Sequence, residues 1–270
     1  MYYVKNITQR LGLCTKVKYK YNNNNLLQYA HILNEDFKKL PRRENTSLNN
    51  ECNIYYKDEN LKNLSQLISD SVKIIINSFN KFDHSNVYLS FNGGKDSVVA
   101  FHLYRIALHE FASCNKGYEL QAVYFKDPSA NEFSEITSFI HKITSKYGVN
   151  LRVIEDTWER GVKSFENGSF ILGSRSMDEG CADLKPLEAG NAGDFEFYRI
   201  NPILNWTYGD IWNFLLYFQL EYCPLYDRGY TSIGTVNDTL PNPYLKSGDT
   251  YLPAYKLTQW EYERCSRVKH

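Results

Sequence analysis

The chain has 270 residues, and its 31 basic and 31 acidic side chains leave a formal net charge of zero. That length holds one sizeable core with an extension, and the charge balance speaks against a general nucleic-acid binder, which carries a basic excess. The cysteines Cys14, Cys52, Cys114, Cys181, Cys223 and Cys265 form no C-x-x-C pair, which speaks against a zinc site or a small disulfide scaffold and for reduced thiols in the cytoplasm. No apolar run reaches the length of a membrane span.

The N-terminus is basic and free of acids up to Glu35, which leaves a mitochondrial presequence open beside the cytoplasmic reading. Residues 1–50 read as an extension, with a helix over Leu26–Leu40 and an exposed connector over Leu40–Glu51. The main body, residues 51–220, opens on Leu61, Leu64, Ile68, Val72, Ile75 and Phe79, whose spacing predicts one apolar helical face. A strand over Val87–Phe91 follows, then a glycine loop and a helix over Ser97–Phe111. Leu120–Phe125 reads as a strand, Glu132–Tyr147 as a helix, Leu151–Ile154 as a strand and Trp158–Phe165 as a helix. Phe170–Leu172 is a short strand and Phe197–Ile203 a last one, before a helix over Tyr208–Phe218. Residues 221–270 are rich in Pro, Gly, Asn and Tyr, and only the stretch from Thr258 reads as helical.

Short strands alternating with helices predict an α/β fold, a mostly parallel twisted sheet with helices on both faces. Ligands of such sheets sit beyond the carboxyl ends of the strands, so the loops after Phe91, Phe125, Ile154 and Leu172 should share one working edge.

The segment Ser90-Phe91-Asn92-Gly93-Gly94-Lys95-Asp96-Ser97 leaves a strand and opens a helix. Two glycines permit positive φ and leave no Cβ in the path of an oxyanion. Backbone N–H groups of the loop and of the helix start then point at a phosphate, with Lys95 as a cation. Read as plain structure, the same residues make a glycine turn with a helix cap. The loop has neither the P-loop spacing nor the dinucleotide-binding glycine pattern. Gly173 to Asp178 follows a strand and should face the same crevice. Arg175 could clamp phosphate and Asp178 bind metal or ribose, or the two could form an ordinary ion pair. Arg199 is a candidate phosphate clamp, and Trp206 offers a flat face to a ring system. Trp212 and Phe214 read as core, and Thr207 with Asp210 fits a capping box. Asp227, Arg228 and Tyr230 lie in a loop.

The loop resembles the PP-loop of ATP pyrophosphatases. With the G-x-R-x-x-D stretch, "LNWTYGDIW" and "PLYDRGYTSIG", it is similar over residues 60–270 to the eukaryotic FAD synthases, FMN adenylyltransferases of the PAPS reductase-like fold. The resemblance implies that Ser90–Ser97 hold ATP phosphates, with Phe125 against adenine and Gly173 beside them. Asp178, and Asp96 with it, would meet Mg²⁺. Glu196, Arg199, Trp206, Asp227, Arg228, Arg264 and Arg267 would lie on the flavin side, with residues 221–270 as a flavin-binding segment packed on the core. Lys95, Arg175, Asp178 and Arg267 would carry catalysis. Ser176, Met177 and Glu179 depart from the family pattern around Asp178, and Glu196 stands where an aspartate is usual. The activity implied is transfer of AMP from ATP to FMN, giving FAD and pyrophosphate, by a monomer that needs neither nucleic acid nor membrane. The alternatives are a thiol-dependent PAPS or APS reductase using Cys265, whose surroundings lack the reductase E-C-G pattern, and a non-catalytic flavin-nucleotide binder.

Overall fold

The structure, a computed structural model, describes residues 24–33, 58–112 and 119–268. The presequence reading, the connector over Leu40–Glu51, and Cys14, Cys52 and Cys114 lie outside them. The elements follow in order α1 (Asn24–Leu33), α2 (Asp58–Lys81), β1 (Val87–Ser90), α3 (Lys95–Ala112), β2 (Gln121–Phe125), α4 (Ser134–Lys146), β3 (Asn150–Ile154), α5 (Trp158–Gly161) and β4 (Ser169–Ile171). There follow β5 (Leu187–Ala192), β6 (Phe195–Ile200), α6 (Tyr208–Tyr217), and the short hairpin β7 (Lys246–Ser247) and β8 (Thr250–Tyr251).

The main sheet has six strands in the order β3-β2-β1-β4-β6-β5. All its pairings are parallel except β5 with β6. Strand periodicity sorts the side chains of the central strands between two cores. Val87 and Leu89 of β1, Ala122 and Tyr124 of β2, Ile171 of β4 and Ile200 of β6 join the larger cluster with the apolar faces of α2, α3, α4 and α6. Tyr88, Val123, Phe170 and Phe197 point the other way, into a smaller aromatic cluster with Val162 and Phe165. Helices thus lie on both faces, but unequally, with only α5 and the 3₁₀ turn Val162–Ser164 on the second among the described residues.

Three expectations change. Residues 24–33 are part of the core and not a free extension, because Leu26, Tyr29, Ala30 and Leu33 are buried in the main cluster. Phe197–Ile203 is not the last strand, since the hairpin β7–β8 follows it. It shortens to β6 and pairs with the unpredicted β5 through a turn at Gly193, whose φ is +64°. The expected terminal helix is a 3₁₀ segment, Trp260–Ser266. The capping box of α6 forms as read: Asp210 N–H donates to Thr207 Oγ1 at 3.1 Å, and Asp210 Oδ2 accepts the Thr207 N–H at 2.9 Å.

β1 is the branch point of the chain's path. Later strands go to β2 and β3 on one side and to β4 and β6 on the other. The loops after β1 and β4 therefore diverge, leaving a crevice of the kind that takes ligands in open α/β sheets.

Candidate active site

A cavity of about 490 Å³ opens at that crevice, lined by the β1 loop, the loop after β4 and the C-terminal segment. The glycines explain how the loop reaches it. Gly93 turns the chain at φ +73°, where a side chain would be strained. Asn92 Oδ1 accepts the Gly94 N–H at 3.0 Å and so closes the turn. Ser97 Oγ donates to the Gly94 carbonyl at 2.8 Å, which ties the first turn of α3 back to the loop. Gly173 marks the closest approach from β4, since a Cβ there would stand 2.9 Å from the backbone of Asp96 and Ser97. The first N–H groups of a helix have no intrahelical acceptor and attract anions.

Charges gather immediately beneath. Lys95 Nζ lies 2.9 Å from Asp96 Oδ2 and 2.5 Å from Glu263 Oε1, with only 2% of its side chain exposed. Its ammonium also sits 5.3 Å from the centre of the Tyr208 ring. Arg175, equally buried, places Nη2 at 2.8 Å from both Glu263 oxygens and 3.1 Å from Asp178 Oδ1. Its Nε lies 3.1 Å from Asp96 Oδ1. For Lys95 and Asp96 burial works against the charged form, and the opposite charges win. For Lys95 the pull of burial is outweighed by Asp96 and Glu263, so its pKa is raised. For Asp96, Lys95 and Arg175 outweigh burial and hold the carboxyl below its ordinary range. Three carboxylates, Asp96, Asp178 and Glu263, thus face the two buried cations, with Arg264 as a third, more distant one.

Toward solvent stand Arg264, 3.7 Å from Asp178 Oδ1, and Arg267, 3.5 Å from Asp238 Oδ2. Asp178 Oδ2 accepts the Arg175 N–H at 2.9 Å. Tyr226 is buried, and its hydroxyl accepts the Lys95 backbone N–H at 2.8 Å. The apolar wall is Phe125, Trp158, Leu172 and Ile233. Phe125 and Trp158 meet edge to face with centroids 4.8 Å apart, and Gly161 makes room for them, because a Cβ there would lie 2.5 Å from the Phe125 ring.

The structure thus brings Ser90, Phe91, Asn92, Gly94, Lys95, Asp96, Ser97, Phe125, Gly173, Arg175, Asp178, Arg264 and Arg267 to one cavity. Two of these differ from expectation. Lys95 and Arg175 do not project free cations at phosphate, because buried carboxylates already hold them. The Arg175–Asp178 ion pair exists, but it is buried and not on the surface.

Six residues stand elsewhere. Gly93 packs toward Ile140 of α4. Glu196 pairs across the ladder with Asn191. The Arg199 guanidinium lies 5.5 Å from the Phe197 ring centre. Trp206 presents no open face: it is 2% exposed, packs on Phe214, and donates its indole N–H to Ser71 Oγ at 3.0 Å. Asp227 accepts the Tyr222 hydroxyl at 2.9 Å, and exposed Arg228 pairs with Glu135.

The lining residues that sequence reasoning missed are Trp158, Leu172, Ser174, Glu179, Cys181, Tyr226, Ser232, Ile233 and Glu263. Tyr226 and Glu263 were adjacent to chosen residues, Asp227 and Arg264, and were passed over because a lone Tyr or Glu carries no motif.

A family model described as the phosphoadenosine phosphosulfate reductase domain matches residues 86–170 and 156–241. A probable FAD synthase of Schizosaccharomyces pombe is 36% identical over 217 residues, spanning 77% of this chain and 82% of that protein. The chain belongs to the FAD synthase family. A probable FAD synthase of Caenorhabditis elegans is 31% identical over 220 residues, 77% of this chain, which spans only 42% of that longer relative. In fold, the Candida glabrata FMN adenylyltransferase crystallised with FAD and inorganic pyrophosphate is similar at a TM-score of 0.74 and 23% identity, covering 90% of this chain and 97% of that one.

Proposed function

We propose that this FAD synthase family member transfers the AMP moiety of ATP to FMN, giving FAD and pyrophosphate. The observation that supports this most directly is the single cavity joining the β1 phosphate loop to Arg264 and Arg267 of the C-terminal segment. One substrate's phosphates would meet the loop and the start of α3. The other's phosphate would meet the arginines.

A phosphate monoester is already a nucleophile at neutral pH. Its oxygen would attack the α-phosphorus while the bond from that phosphorus to the bridging oxygen breaks, and pyrophosphate leaves with the electron pair. No general base is needed, and the rate would come from in-line positioning and charge neutralisation. Arg264 and Arg267 would hold the FMN phosphate against the repulsion of the triphosphate. Beyond Gly94 and Lys95, whose N–H groups are held by Asn92 and Tyr226, the start of α3 would present its remaining backbone N–H groups to ATP, and Phe125 with Trp158 would flank the base.

Mg²⁺ fits the donor set. Such an ion would be held by one or two carboxylates and the substrate's own phosphates. Asp178 is the candidate ligand, since its oxygens face the cavity and keep lone pairs beyond the contacts to Arg175. Asp96 is the weaker candidate, because Oδ1 is enclosed and Oδ2 is taken by Lys95. Such an ion would offset the charge of the departing pyrophosphate. Cys181, Cys223 and Cys265 are free thiols.

The test is to incubate the full chain with ATP, FMN and Mg²⁺ and follow FAD and pyrophosphate together, beside Asp178→Ala and Arg267→Ala. Equimolar products, severely reduced in both variants, are expected. Folded protein that binds both nucleotides and forms no FAD would refute the reaction and favour a flavin-nucleotide binder.

A further inference from the structure

Glu263 is a buried carboxylate that touches both halves of the phosphate site from a third element. Its backbone is stitched into the C-terminal region by neutral hydrogen bonds. The Glu263 carbonyl accepts from Thr231 Oγ1 at 2.6 Å, and the Tyr262 carbonyl accepts from Asn242 Nδ2 at 2.8 Å. Toward the α/β core, its side chain reaches Lys95 of the β1 loop at 2.5 Å and Arg175 of the β4 loop at 2.8 Å. The next residue, Arg264, has only a longer 3.7 Å contact to Asp178, and Arg267 pairs within the C-terminal region, with Asp238.

The three carboxylates of the cluster are therefore not equivalent. Without Glu263, Lys95 keeps Asp96, and Arg175 keeps Asp96 and Asp178. The ATP side stays anchored. The segment that carries Arg264 and Arg267 loses its close charge contacts with the core.

We propose that Glu263 is a positioning residue, which sets where Arg264 and Arg267 stand relative to the phosphate loop by gripping one cation from each side of the crevice. This rests on the adenylyltransfer reading for the identity of the second nucleotide. It makes a prediction that a merely stabilising ion pair does not: removal of the charge should act on FMN and turnover and spare ATP. A displacement of the order of 1 Å at a reacting group is enough to cost about 100-fold in rate.

The experiment is steady-state kinetics of full-length Glu263→Gln, run well below its melting midpoint, with calorimetric titrations of FMN and of an unreactive ATP analogue. The expected result is a KM for FMN raised about tenfold or more and kcat lowered about tenfold or more, with KM for ATP within about threefold of wild type. Equal losses for both nucleotides, or no loss for either, would overturn the proposal. If Glu263→Gln does not fold, Glu263→Asp takes its place. It keeps the charge but is one methylene too short to grip both cations, so the same FMN-selective pattern is expected in milder form. Wild-type protein that forms no FAD would refute the reaction alone. The titrations then decide, with FMN affinity falling selectively if Glu263 positions the arginines, and the two affinities falling together if it does not.

Discussion

Gly173→Ala is the sharpest probe of the crevice. Gly173 does not occupy the left-handed region, so alanine meets no backbone strain there. What it meets is the start of α3, since its Cβ would lie 2.9 Å from both the Asp96 carbonyl carbon and the Ser97 nitrogen. Ordinary contacts of this kind begin near 3.4 Å, so the two backbones must part by about 0.5 Å. Neither partner is a flexible side chain, and the shift therefore falls on the loop that would hold the triphosphate. Overpacking of this sort costs about 1–3 kcal/mol, which for a chain of this size lowers the melting midpoint by about 3–10 °C. Activity should suffer more than stability, because half an ångström at the phosphate cradle misaligns attack. A fall in kcat/KM of about 10- to 100-fold is expected. Thermal melting and FAD formation measured on one preparation check both figures. A Gly173→Ala protein with wild-type kcat/KM would refute the placement of the phosphate site between β1 and β4.

Trp206→Phe should lower stability by about 1–3 kcal/mol, through the lost bond to Ser71 and the vacated volume, and leave KM for FMN unchanged; a large KM effect at unchanged stability would restore the flavin contact. Cys265→Ser should keep near wild-type FAD formation, since the exposed thiol has no part in the proposed chemistry; its inactivation would favour the reductase-like reading. His102 is fully buried, and burial, with the Arg105 and Lys146 charges, holds it well below the usual imidazole range. The unfolded chain takes up that proton near pH ~6.5, so stability is complete above that pH and declines as pH falls through it toward the lower folded value. Melting midpoints from pH 7.5 down to 5.5 should fall for wild type and fall less for His102→Asn; equal slopes would remove His102 as the cause.

The parallel core was legible because its strands and helices carry their periods openly: β1 is buried from Val87 to Leu89, and α2 repeats its buried residues at helical steps. β5 was not, because "LEAGNA" has little strand propensity and owes its pairing to β6. Gly190 belongs there because a Cβ would meet the Phe197 ring at 2.7 Å, a fact of packing invisible in one dimension. In the site, the glycine loop announced itself by composition. The roles of Lys95 and Arg175 were misjudged because a sequence shows a cation but not its counterion. Trp206 was misjudged for a related reason, since its partner, Ser71, lies 135 residues away.

Glu263 follows Lys95 by 168 residues and Arg175 by 88. During synthesis the phosphate loop and the sheet beneath it leave the ribosome long before the carboxylate that grips their cations. Until it arrives, those two side chains have only Asp96 and Asp178 to neutralise them, and the crevice has no third wall. The nascent chain can thus assemble its sheet while the crevice is still open, since the contacts that close it have very high sequence separation and correspondingly slow formation.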